Sequence, residues 1–122
     1  MRELKFRAWD KIHDKYREPM VYDILNEKIV VRFPIETLKK GEFLLEQSTA
    51  LRDKNGVEIY EGDVVSEHNG DIIGKIVRSI SGEWRVEWMG IFGGSSVLYD
   101  ETSMCEVIGT IHERSAGLAR SS

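Results

Sequence analysis

Apolar and polar positions alternate along most of this chain, and the period is that of a strand. Leu4, Phe6 and Ala8 alternate with Lys5, Arg7 and Trp9, which gives one apolar face and one mixed face. Asp10-Lys11 and His13-Asp14-Lys15 suit a turn. Tyr16 and Met20-Val21-Tyr22 then read as a returning strand, so a hairpin is predicted over residues 4–24. Pro19 cannot donate to a ladder, which puts this strand at an edge or starts it at Met20. Asn26-Glu27-Lys28 predicts the next turn, and Ile29-Val30-Val31-Arg32-Phe33 predicts a β-branched strand closed by Pro34. Residues 36–41 are too short for more than one helical turn ending at Gly41, and residues 42–46 resume an apolar run.

The second half is punctuated by turns. Asp53-Lys54-Asn55-Gly56 carries its own mechanism: Asp accepts from backbone amides further on, and Asn-Gly tolerates positive φ. Glu61-Gly62-Asp63 predicts a second bend, with Asp63 placed to satisfy loose amide donors. Strands are then expected at 63–68, around Ile72, Ile73, Ile76 and Val77, at 83–88, at 97–99 and at 105–111. Asn69-Gly70 is the strongest short hairpin signal, Ser81-Gly82 is another turn, and Gly74 suggests a bend or bulge. Trp84, Val86 and Trp88 share one face as core fillers. Residues 100–103 suit one tight helical turn.

Five short antiparallel strands with a helical turn before the last predict an SH3-like barrel, in which rolling the sheet removes most of its edge. The expected fold is therefore mainly β with little helix. An N-terminal β-hairpin region (1–46) would pack with a five-stranded SH3-like barrel (63–112). A connecting motif (47–62) would join them, and a loosely ordered tail (113–122) would follow.

Composition narrows the chemistry. The 122 residues are 41% hydrophobic and 31% charged, which describes an ordinary globular protein able to fold without staples. The net charge of −4 argues against tight non-specific binding to a phosphate backbone. Cys105 is the only cysteine, too few for a disulfide or a thiolate zinc site, and it reads as a small buried hydrophobe. No apolar run nears the ~20 residues that span a bilayer, and the charged first residues lack the apolar core of a secretion signal. A cytoplasmic location is expected.

Three stretches then point to a family. Phe6-Arg7-Ala8-Trp9-Asp10, residues 47–65 (Gln47-Ser48-Thr49-Ala50-Leu51-Arg52-Asp53-Lys54-Asn55-Gly56-Val57-Glu58-Ile59-Tyr60-Glu61-Gly62-Asp63-Val64-Val65) and Glu106-Val107-Ile108-Gly109-Thr110-Ile111-His112-Glu113 resemble the YopX-like proteins of bacteriophages and prophages. The resemblance covers about residues 1–113. It implies a phage- or prophage-encoded, mainly β protein working in a bacterial cytoplasm, and brings no catalytic residue with it. Its motif residues Gln47, Asp53, Asn55, Gly56, Tyr60, Glu61, Gly62, Asp63 and Gly109 are expected to be structural. The chain departs from the family at Ala50, where Gly is usual, at Thr110, where Asn is usual, and in the ending at 114–118. Ala50 argues against a positive-φ turn at that position.

No catalytic residue, metal site or cofactor is expected. His13, His68 and His112 show no ligand spacing. A non-enzymatic protein-interaction module is the leading reading, with Ile91 and Phe92, set among glycines, as candidate partner-binding residues. Self-association through a strand edge beside Pro19 is a variant of it. The alternative is nucleic-acid binding by Lys5, Arg7, Trp9, Lys11 and Arg17, a basic and aromatic mix in one hairpin. A metal-dependent enzyme using Glu58, Glu61 and Asp63 ranks last, because the bend at Gly62 already explains Asp63.

Overall fold

The structure, a computed structural model, describes residues 5–90 and 93–112. It is mainly β: the described residues form twelve strands and two short 3-10 turns. The chain divides into two compact units, residues 1–48 and 49–122.

The first unit opens with the predicted hairpin of β1 (Phe6–Asp10) and β2 (Lys15–Arg17). Its turn is held by Asp10, whose Oδ1 accepts from the Ile12 and His13 amides at 2.9 and 3.1 Å. The hairpin ends sooner than the sequence suggests. Residues after Arg17 leave β1 and start a separate three-stranded sheet, β3 (Pro19–Asp23), β4 (Lys28–Val31) and β5 (Glu36–Leu38), in that order. Pro19 begins an edge strand, as its missing N–H requires. The helical turn expected at 36–41 is not there. Thr37 and Leu38 pair with Val30 and Ile29 instead, and Leu38 joins the buried cluster of Ala8, Ile29 and Val31. Burial of one apolar side chain against a ready strand outweighs a marginal single-turn helix. Phe43 and Leu45 pack against the same cluster from the next strand.

That strand, β6 (Phe43–Arg52), runs through the boundary between the units. Its first half pairs with β1, Phe6 opposite Gln47. Its second half neighbours β7 (Glu58–Tyr60). Thr49 fixes that second half: its hydroxyl donates to the Ile59 carbonyl at 2.7 Å and accepts from the Leu51 amide at 3.1 Å. Between them Ala50 adopts φ 64, so the positive-φ conformation that its side chain disfavours is present after all. Bonds on either side of the residue impose the kink.

The second unit is built on a five-stranded antiparallel sheet. Its strands are β8 (Asp63–Glu67), β9 (Ile72–Arg78), β10 (Trp84–Trp88), β11 (Ser95–Val97) and β12 (Glu106–Thr110), in the order β11-β10-β9-β8-β12. The number of strands matches the expectation. Among the described residues β11 and β12 are the two edges of this sheet. Leu98 and Tyr99, expected in a strand, lie in a 3-10 turn at Leu98–Glu101, and Leu98 is wholly buried there. The core comprises Ile59, Val65, Ile76, Val86, Leu98 and Cys105, with Trp84 and Trp88 packed against it.

Gly74 makes no bulge. It sits in unbroken register between Val65 and Trp88, and a Cβ there would lie 2.5 Å from Val86 Cγ1 and 2.8 Å from Trp88 Cε3. The glycine serves close packing. The irregularity falls in β12, where register shifts between Val107 and Gly109.

Candidate functional site

In the second unit a cleft of about 260 Å³ is lined by Glu67, Asp71, Ile72, Trp88, Met89, Gly93 and Glu101. Each wall follows from local structure. Glu67 ends β8, two residues after the core Val65, so the strand period turns it inward. The chain reverses through a 3-10 turn at His68–Gly70, where Asn69 and Gly70 take positive φ, and delivers Asp71 and Ile72 at the start of β9. Trp88 ends β10, with its indole Nε1 donating to Ser96 Oγ at 2.8 Å. Glu101 closes the Leu98–Glu101 turn, whose end is fixed by the Met104 and Cys105 amides donating to the Glu101 carbonyl, both at 3.0 Å.

The electrostatics are one-sided. Three carboxyl groups line the cleft, and no basic side chain does so among the described residues. Glu67 is only 7% exposed. Burial, a hydrogen bond to Glu101 and repulsion from the Glu101 charge together push its pKa up to about 7. Near neutral pH the Glu67 carboxyl therefore keeps much of its proton. Glu67 Oε2 is buried and has no hydrogen-bond partner among the described residues. Burial and the carboxylates Asp53, Glu67 and Glu101 push the nearby Cys105 thiol up to about 11, so it is a core group and a poor nucleophile.

In the first unit the feature that stands out is the edge strand β3 and the turn after it. Met20, Val21 and Tyr22 are exposed in succession, and Ile24 and Leu25 are 72% and 94% exposed. The ladder to β4 shifts register between Pro19 and Val21, after which Tyr22 pairs with Ile29. Tyr22 also meets Phe43 edge-on, with centroids 6.2 Å apart.

The residues singled out from sequence are placed as follows. Ile91 and Phe92 lie outside the described residues. Of the basic and aromatic set in the first hairpin, Lys5 and Lys11 are at the surface. Arg7 bonds Glu46 at 2.8 Å and lies 4.3 Å from the centre of the Tyr16 ring. Trp9 is buried against Tyr16. Arg17 is 4% exposed and wholly engaged: it donates to Asp10 Oδ2 at 2.9 Å, to the Arg32 carbonyl at 3.1 Å and to the Pro34 carbonyl, and pairs with Glu36 at 3.2 Å. Burial raises the Asp10 pKa, but hydrogen bonds from His13, Arg17 and Ile12 outweigh it and hold the carboxyl below its usual range. Arg7, Trp9 and Arg17 are thus turned to internal contacts, and they present no stacking platform.

Of the acidic set, Asp63 is 1% exposed and accepts from the Tyr60 amide at 2.8 Å, while Glu58 and Glu61 are half-buried. No group of three His, Cys, Asp or Glu side chains suited to a metal ion occurs among the described residues.

The model of the family described as YopX protein matches residues 5–119. The chain belongs to the YopX family. Among solved structures, this YopX-family chain is similar to protein EF1440 from Enterococcus faecalis. The two are 24% identical with a TM-score of 0.64, over 95% of this chain and 98% of that one. At that identity the likeness speaks to the fold. No curated protein matches.

Three of the YopX motif residues lie in turns held by backbone contacts. Asp53 Oδ1 accepts from the Asn55 and Val57 amides at 2.8 and 2.9 Å, and Oδ2 accepts from the Val107 amide at 2.8 Å. One buried carboxylate therefore shapes its own turn and pins it to β12. Gly62, at φ 87, donates to the Ile76 carbonyl and accepts from the Ile111 amide. Gly56 provides positive φ in the Asp53 turn. The cleft residues Glu67, Asp71 and Glu101 escaped the motif reading. One signal was available: a glutamate in phase with Val65 on a strand is placed to be buried.

Proposed function

We propose that this YopX-family chain is a non-enzymatic protein-interaction module that binds a protein partner along the edge of β3. We further propose that it is encoded by a phage or prophage and works in the bacterial cytoplasm, as its family resemblance implies. The observation that carries the binding reading is the unbroken exposure of Met20, Val21 and Tyr22 on an edge strand, continued by Ile24 and Leu25. An edge offers backbone donors and acceptors to an added strand, and exposed apolar side chains beside it supply the burial that makes such pairing stable. Pro19 and the register shift guard only the start of that edge. No helix among the described residues is long and apolar enough to cross a membrane.

The test is co-purification from host cells with the intact chain and with a Val21→Lys, Leu25→Glu double variant. Both positions are exposed, so the fold should survive. The intact chain should retain a protein that rebinds when purified, and the double variant should lose it. Equal retention by the variant would refute the surface. A concentration-dependent dimer that the variant abolishes would name a second copy as the partner instead.

A further inference from the structure

Separately from the β3 surface, we propose that the acidic cleft of the second unit receives the guanidinium group of an arginine side chain from a partner protein. The floor supplies the chemistry. Glu67 and Glu101 both line the cleft, so two carboxyl groups face one small volume. Asp71 adds a third carboxyl at the rim. Glu67 Oε2 is buried without a partner among the described residues, and a buried acceptor left unmade costs about 1–3 kcal/mol in general. A donor entering from the cleft would satisfy it.

The walls select the kind of cation. Ile72 and Met89 offer apolar surface to an aliphatic stem, and Trp88 offers an indole. A guanidinium stacks on such a ring, presents a planar fork to paired carboxyls, and loses its hydration more readily than an ammonium does. The volume of about 260 Å³ accommodates one long side chain and does not suit a large ligand. The charges facing Glu67 are the carboxyl of Glu101 and the carboxyl of Asp71, with the Cys105 thiol close by, so a cation is the complementary guest. Its arrival would favour loss of the Glu67 proton, because a nearby positive charge favours the ionised carboxylate.

The experiment is a titration of the ¹⁵N-labelled full chain with the peptide acetyl-Gly-Arg-Gly-amide, followed by NMR at pH about 7.5. The expected result is a saturable shift of the Trp88 indole N–H and of the Glu67 and Ile72 amides, with a Kd of about 1 mM, typical for a single side chain. The matching lysine peptide should bind several-fold more weakly. Glu67→Gln and Glu101→Gln should each weaken the arginine peptide about tenfold, the loss of one charge-assisted hydrogen bond, with the rest of the spectrum unchanged. Lowering the pH to about 5.5 should also weaken binding, as Glu67 then keeps its proton. Absence of a saturable shift would overturn the proposal, as would shifts indifferent to both Gln variants. Equal binding of the lysine peptide would overturn the guanidinium assignment. The Val21→Lys, Leu25→Glu variant should bind the arginine peptide normally, so failure of the β3 reading and failure of this one are separable.

Discussion

Replacing Glu67 by Gln should remove a pH dependence that the fold itself creates. In the folded chain the Glu67 carboxyl titrates at about 7, against an ordinary 4.5. The sign follows from proton counting. Between those two values the folded state still holds a proton that the unfolded chain has released, so raising the pH favours unfolding. Below about 4.5 both states are protonated and the group contributes nothing. Above about 7 both are ionised, and the fold carries the whole penalty of two charged carboxyls in one partly desolvated space.

A shift of this size, at about 1.4 kcal/mol per pH unit, corresponds to about 3 kcal/mol at Glu67. That is a substantial part of the roughly 5–15 kcal/mol by which domains are stable. Glu67→Gln keeps the shape and a donor for Glu101 but cannot ionise. The assay is urea unfolding of both proteins at pH about 4.5, 5.5, 6.5 and 7.5, compared as a difference so that the groups common to both cancel. The variant should gain on the wild type by about 3 kcal/mol across that range. Parallel pH profiles, or a wild type that gains on the variant with rising pH, would refute the reasoning.

Three further outcomes test the scaffold. Asp53→Ala strands the Asn55, Val57 and Val107 amides and should destabilise by about 3 kcal/mol or more in chemical unfolding; a loss below about 1 kcal/mol would show that water or neighbours replace the carboxylate. Gly74→Ala forces a methyl group into Val86 and Trp88 and should cost about 1–3 kcal/mol, with the Trp88 indole resonance displaced; an unchanged midpoint would show that the two strands separate freely. Ala50→Gly should stabilise by about 0.5–1 kcal/mol, because relief of the left-handed conformation exceeds the added entropy of the unfolded chain, and its melting temperature should rise by a few degrees; a fall would mean that residue 50 is extended in solution.

The sequence by itself determined what depends on a few neighbouring residues. Period-two alternation located the strands from β8 onward to within a few residues, and turn chemistry placed the Asp53 and Gly62 bends and the reversal at Asn69-Gly70. These features need only the preferences of adjacent side chains and backbones. The family motif was legible because most of its residues form two adjoining turns, although Asp53 and Gly62 also bond the distant Val107, Ile76 and Ile111.

Tertiary structure decided the rest, because it turns on which distant segments meet. Leu38 reads as part of a weak helical turn until β4 offers it a ladder and a buried place. Arg17 reads as a surface cation until Asp10 and the carbonyls of residues 32 and 34 enclose it. Ala50 looks unfit for positive φ until the bonds of Thr49 bend the strand there. Glu67 and Glu101 are 34 positions apart and carry no shared motif, yet the sheet and the 3-10 turn bring them to one cleft. Local propensity amounts to fractions of a kcal/mol per residue, whereas burial and the pairing of buried charge amount to several, so packing settles each of these conflicts.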